Sequence, residues 1–236
     1  MSEDECYSMQ TLLSTPFKAV LFDMDNTLFD FIEAMKRGCS AAVESVGEGT
    51  GEELLSYYLR WKYHFEDHTN LQDFMMAHNR FSVERYFDAV RAFDEAKMKG
   101  LKPYSGIEDV LSGLKSSGYH LGVVTDAFSY AADSRLDYLG LKKYFDILVG
   151  YDTTGYKKPH YAPFECALNL LGVAPYETAY VGDSIRRDIE PVKSLGMTPV
   201  YARYGDRNFF DRPSMPCPSK VLIADTPPDI LRLLKP

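Results

Sequence analysis

The hydrophobic positions of the chain fall into two regimes. From Phe31 to about Val46 they recur at three and four residues (Phe31, Met35, Cys39, Ala42, Val43, Val46), the period of a helix with one buried face. The run Gly47-Glu48-Gly49-Thr50-Gly51 breaks it. A second helix is predicted over about Glu52 to Asp67, a short one around Leu71 to Ala77 and a longer one over about Ser82 to Met98, closed by Gly100-Leu101-Lys102-Pro103. Beyond Pro103 short apolar runs alternate with helical patterns. The predicted order is helix Ile107 to Lys115, strand His120 to Val124, helix Tyr130 to Leu139, strand Phe145 to Val149, helix Ala162 to Leu171, strand Thr178 to Val181, helix Pro191 to Leu195 and strand Thr198 to Tyr201. A proline-bearing loop after Gly205-Asp206-Arg207 leads to a last strand, Lys220 to Ile223, and a terminal helix from about Pro228.

One strand precedes the helical stretch. Phe17-Lys18-Ala19-Val20-Leu21-Phe22 is an apolar run of the length and composition of a buried parallel strand, and it stops at Asp23. A polar lead-in, Met1 to Pro16, comes before it. Strands alternating with helices imply βαβ units and a mostly parallel sheet with helices on both faces. The expected class is therefore α/β, a doubly wound parallel sheet with an inserted all-α lobe. The boundaries are residues 1–29 and 102–236 for the core and 30–101 for the insert.

Composition narrows the partners. At 45% hydrophobic and 25% charged residues the 236-residue chain has the make-up of a soluble globular protein. A formal net charge of −8 with no basic block argues against a nucleic-acid partner. No apolar run reaches membrane-spanning length, and the acidic start Met1-Ser2-Glu3-Asp4-Glu5 is unlike a basic leader, so no membrane partner is expected. The four cysteines, Cys6, Cys39, Cys166 and Cys217, form no close pair and read as reduced thiols. The expectation is a cytoplasmic protein, a monomer or weak homodimer.

In a doubly wound sheet the strand ends deliver side chains to one crevice. The first supplies Asp23, Asp25 and Thr27, two acids one residue apart where burial within the strand would be costly. The second supplies Thr125-Asp126-Ala127. The loop after the third contains Lys157-Lys158-Pro159. The fourth ends Gly182-Asp183-Ser184, with Asp188 five residues beyond Asp183. Acid-x-acid, hydroxyl, cation and acid, in that order, suit phosphoryl transfer. A carboxylate nucleophile can split the reaction into two steps, a hard cation such as magnesium can sit between acid and phosphate, and hydroxyl and ammonium groups can hold the phosphate oxygens.

Asp23-Met24-Asp25-Asn26-Thr27-Leu28, Thr125, Lys158-Pro159 and Gly182-Asp183-Ser184 with Asp188 resemble the four motifs of the haloacid dehalogenase superfamily. The helical insert after the first motif resembles that superfamily's C1-type cap. The resemblance, closest to its phosphoglycolate phosphatase-like members, implies an aspartyl-phosphate mechanism on a small phosphorylated metabolite. It makes Asp23 nucleophile and Mg2+ ligand, and Asp25 the general acid/base with its backbone carbonyl on the metal. Thr125 and Asp126 would contact the phosphate, Lys158 would neutralise phosphate and nucleophile, and Asp183 would place Mg2+. Asp188 and Thr27 would support them. The second motif often runs hydroxyl-Asn-Gly, so Thr125-Asp126-Ala127 is a departure at Asp126.

Three other activities fit parts of this pattern. Haloacid dehalogenases lack an acid at the position of Asp25, because a departing halide needs no proton, so Asp25 favours a phosphohydrolase. A sugar-phosphate mutase differs in keeping water from the phospho-aspartate. A phospho-receiver clusters similar groups but is much shorter, has adjacent acids and lacks the insert.

Overall fold

The computed structural model describes residues 17–60, 62–207, 219 and 221–234. The lead-in Met1 to Pro16, Trp61, most of the proline-bearing loop, Lys220, and Cys6 and Cys217 lie outside these residues. The chain divides into two compact units, one of Met1–Phe29 with Pro103–Pro236, the other of Asp30–Lys102.

The first unit is built on six parallel strands: β1 (Ala19–Phe22), β2 (His120–Val124), β3 (Ile147–Val149), β4 (Thr178–Gly182), β5 (Thr198–Ala202) and β6 (Leu222–Ala224). Their spatial order is β3-β2-β1-β4-β5-β6. The sheet grows in one direction from β1 to β2 and β3 and in the other from β1 to β4, β5 and β6. β1 is therefore the switch point at which a doubly wound sheet opens its crevice. Phe22 pairs with Val123 on one side and Val181 on the other, so the residues following β1, β2 and β4 emerge side by side.

Helices cover both faces of the sheet. Against one pack α8 (Ala162–Leu171) and α9 (Glu190–Ser194), with Phe164, Ala167, Leu168 and Val192 joining Leu21, Val124, Val149 and Tyr180 in one buried cluster. In the same unit α5 (Ile107–Ser116) meets the terminal helix α10 (Pro227–Leu234), which the Tyr119 hydroxyl ties down by donating to the Leu234 carbonyl at 2.9 Å. The remaining helices are α6 (Ser129–Tyr138) and the short α7 (Tyr151–Thr154). α7 has no sequence counterpart, because four residues carry too little periodicity to register. β3 starts at Ile147 rather than Phe145, since the Asp146 carboxylate accepts the Leu121 N–H at 2.9 Å in place of a strand carbonyl.

The second unit is all helical: α1 (Phe31–Val46), α2 (Gly51–Leu59), α3 (Thr69–Ala77) and α4 (Val83–Gly100). The Asp30 carboxylate caps α1 by accepting the Glu33 N–H at 3.0 Å, and Thr50 caps α2 through Glu53 N–H at 3.1 Å. The buried aromatics form its core, with Tyr58 stacked on Phe93 at 5.3 Å between ring centroids. The helix expected over Glu52 to Asp67 stops at Leu59. The polar residues that follow satisfy the backbone locally: Asp67 Oδ1 accepts both the N–H and hydroxyl of Thr69, and Asn70 Nδ2 donates to the carbonyls of His64 and Asp67. Such side-chain bonds compete with helix continuation. Among the described residues no helix is long and apolar enough to cross a membrane.

Candidate active site

β1 gives way to Asp23, which is only 3% exposed and whose N–H donates to the Val181 carbonyl at 2.8 Å. The chain then turns sharply. Asn26 takes a left-handed backbone (φ 63°), a conformation asparagine tolerates better than most residues. Its N–H donates to Phe29 O at 2.8 Å, and Leu28 N–H to Met24 O at 2.9 Å. Thr27 Oγ1 comes back to within 3.5 Å of Asp23 Oδ2.

From the loop beyond β3, Lys158 reaches under this turn. Its Nζ lies 2.5 Å from Asp23 Oδ1, 2.7 Å from Asp188 Oδ1 and 3.3 Å from the Tyr180 hydroxyl. Burial opposes the ammonium charge, yet the carboxylates of Asp188 and Asp23 hold Lys158 well above the usual lysine range. The lysine is thus a fixed cation beside Asp23.

Asp183 follows β4 and is 4% exposed. A single π turn, Ile185–Ile189, then brings Asp188 back beneath Gly182. Its Oδ2 accepts the Ser184 N–H at 3.1 Å. A Cβ on Gly182 would stand 2.6 Å from Asp188 Cβ, so glycine is what permits this approach. One carboxylate oxygen each from Asp23, Asp183 and Asp188 lie within 4.8 Å of one another. Burial, then Asp188, pushes Asp23 up to about 6 against the pull of Lys158. Burial and the Asp23 and Asp188 charges push Asp183 well above the carboxylate range.

Asp183 Oδ1 is buried with no hydrogen-bond partner, and a buried oxygen of that kind is costly unless something meets it. Grouped carboxylates held against ionisation are a hard-oxygen donor set short of positive charge, which a divalent cation supplies. Asp188 already spends both oxygens on Lys158, Tyr180 and Ser184. The residues fit, with Asp183 and Asp23 the acids best able to turn toward the ion.

The turn after β2 supplies Thr125, 3% exposed, whose hydroxyl oxygen accepts the Ala127 N–H at 3.2 Å and so keeps its own proton for another acceptor. The Asp126 side chain is engaged by the protein itself at both carboxylate oxygens. Oδ1 accepts the Lys158 N–H at 2.8 Å, and Oδ2 receives Arg187 Nη1 at 3.1 Å. With both oxygens engaged, it pins the Lys158 loop to the β2 turn and to the π turn. Asp25 also stands apart from the lysine cluster: both its oxygens face Arg135 Nη1 on α6, at 3.0 and 3.1 Å.

Three participants escape a reading of strand ends. Tyr180 lies inside β4, but a tyrosine in a fully buried strand must place its hydroxyl somewhere. Arg135 lies ten residues past Thr125 on a helix face otherwise apolar. Arg187 sits in the π turn, where the carboxylates of Asp188, Asp183, Asp23 and Asp126 outweigh burial and raise its already high pKa.

The haloacid dehalogenase-like hydrolase family model matches residues 20–202. The chain belongs to this family. Over 195 residues it is 29% identical to the glyceraldehyde 3-phosphate phosphatase of Methanocaldococcus jannaschii, covering 78% of this chain and 83% of that one. It is 31% identical to the phosphoglycolate phosphatase of Aquifex aeolicus, covering 80% and 85%. Among solved structures, a HAD phosphatase from Thermococcus onnurineus aligns with TM-score 0.65 at 24% identity, over 93% of this chain and 98% of that one. The magnesium-bound structure of YfnB from Bacillus subtilis aligns with TM-score 0.73 at 18% identity, over 94% and 100%. Within this family the chain is a hydrolase, with relatives named as phosphatases.

Proposed function

We propose that the protein is a magnesium-dependent phosphomonoester hydrolase that acts on a small phosphorylated metabolite through an aspartyl-phosphate. The carrying observation is the ion pair of Asp23 with the buried Lys158, at the switch-point strand and beside Asp183. In the first step an Asp23 oxygen attacks phosphorus, the bond to the leaving oxygen breaks, and Asp25 gives that oxygen its proton. In the second a water attacks phosphorus, Asp25 takes its proton, and the Asp23–phosphorus bond breaks to release inorganic phosphate. Thr125 donates its hydroxyl to a phosphate oxygen, Asp126 contributes only backbone N–H, and Lys158 balances charge on the nucleophile. Asp23 and Asp183, with the Asp25 carbonyl, would hold Mg2+, whose charge lowers the repulsion between carboxylate and phosphate.

The named activities of the relatives point to two- and three-carbon phosphate esters as substrates. The helical unit Asp30–Lys102 is assigned the part of a selecting cap. The cytoplasm remains the compartment we assign, with Cys39 buried and unpaired in keeping with a reducing environment. The test is phosphate release from glyceraldehyde 3-phosphate and phosphoglycolate with and without magnesium. Magnesium-dependent release supports the reading; an isomerised ester with no free phosphate would replace it with a mutase.

A further inference from the structure

α6 carries a charge where its pattern calls for an apolar residue. Its buried positions are Ala132, Arg135 and Leu136, one face at helical spacing, and the Arg135 side chain is 3% exposed. Sinking a guanidinium that far from water is costly unless a carboxylate meets it. Asp25 does so, with both oxygens within 3.1 Å of one guanidinium nitrogen. The two residues are 110 apart in sequence, so the pair depends on the packed fold.

Asp25 has little backbone freedom, because the turn around it is closed by the Asn26–Phe29 and Leu28–Met24 hydrogen bonds. What remains is the rotation of its own side chain, which is 24% exposed. A carboxyl that must hand a proton to one oxygen and later take one from a water needs a fixed direction. A base oriented by a third group is the general arrangement for such proton transfers. α6 begins four residues after Thr125, so one short segment of chain sets both the hydroxyl and the arginine.

We propose that Arg135 is the positioning residue of Asp25, its helix-anchored guanidinium fixing the direction of the carboxyl that serves the leaving oxygen. This rests on the reading of Asp25 as general acid/base. Arg135 acts through Asp25, so its loss shows where proton delivery matters. An alkyl ester departs as a basic alkoxide and needs the proton; p-nitrophenyl phosphate departs as a stable phenolate and scarcely does.

The experiment compares kcat/KM on phosphoglycolate or glyceraldehyde 3-phosphate with that on p-nitrophenyl phosphate, because kcat/KM reports the step in which the alcohol departs and not the later attack of water that all esters share. For Arg135→Gln the expected result is a fall in kcat/KM of about 10- to 100-fold on the alkyl ester, up to the lower end of general acid/base effects. On p-nitrophenyl phosphate kcat/KM should be nearly unchanged. Arg135→Lys should recover part of the loss, and Arg135→Gln should add nothing further to Asp25→Asn. An equal loss on both esters, or no loss on either, overturns the proposal. Should Arg135→Gln fail to fold, Arg135→Lys, which keeps the charge, carries the same comparison: a loss confined to the alkyl ester supports the positioning role, and an equal loss or none overturns it. The reading of Asp25 is tested separately: if Asp25→Asn shows no preference between esters, the acid/base assignment itself fails. If Asp25→Asn shows it and the arginine variants do not, only the positioning role falls.

Discussion

The Tyr180 hydroxyl lies 3.3 Å from the Lys158 ammonium and 3.1 Å from Asp188 Oδ1, inside a strand whose residues are all buried. It also comes within 3.3 Å of the Val124 carbonyl. The phenol therefore accepts from the lysine and shares its own proton between two acceptors. A tyrosine here joins the charged cluster to the apolar sheet, and burial keeps it protonated. Tyr180→Phe should cost about 1.5–3 kcal/mol of stability, the range for hydrogen bonds to charged groups, read by urea unfolding. Activity should fall less than in Lys158→Ala, because the Lys158–Asp188 and Lys158–Asp23 pairs survive. A variant as stable as the parent would show that the hydroxyl holds nothing.

Asp126 and Arg187 form a partly exposed ion pair, and pairs of that kind are worth about 0.2–1 kcal/mol. The bond from Asp126 Oδ1 to the Lys158 N–H matters more, because it fixes where the lysine starts. Asp126→Asn preserves that acceptor and should leave kcat and stability close to those of the parent. Asp126→Ala removes it, leaves the N–H unpaired, and should lower kcat while costing about 1–3 kcal/mol. Equal effects of Asn and Ala would locate the residue's role in its charge instead.

The residues legible in the sequence are those the chain could not hide. A carboxylate ending an apolar run has few places to go, so Asp23 and Asp183 stand out at strand ends, and the alternation of elements orders those ends around one crevice. Tyr180 and Arg135 are hidden by the same logic. Each sits within a periodic apolar pattern, where a polar tip is invisible until its partners, 8 to 110 residues away, are known. The sequence also over-extends the helix of Glu52 to Asp67, because aromatic residues keep the period going where local side-chain hydrogen bonds end it. Asp126 is a plain departure from a motif until its two partners show it tying three loops together.

The raised pKa values of Asp23, about 6, and of Asp183 carry a sign. Both acids bind protons more tightly folded than unfolded, so the metal-free fold draws stability from them in acid. That contribution is lost as pH rises from the unfolded carboxylate value through about 6. A cation that binds the ionised pair reverses the loss. The melting-temperature gain on adding magnesium should therefore be larger near about pH 7.5 than near about pH 5. Thermal unfolding with and without magnesium at both pH values checks this; a gain independent of pH, or no gain, contradicts it.

The proposed reaction turns on the phosphorylation of Asp23 during turnover. The most direct measurement is acid quenching of the working enzyme with magnesium and substrate, followed by peptide mass analysis. A phosphoryl group is expected on the peptide holding Asp23 and should be absent from Asp23→Asn, which should also release no phosphate. Full turnover by a folded Asp23→Asn protein, or a phosphoryl group mapped elsewhere, would contradict it.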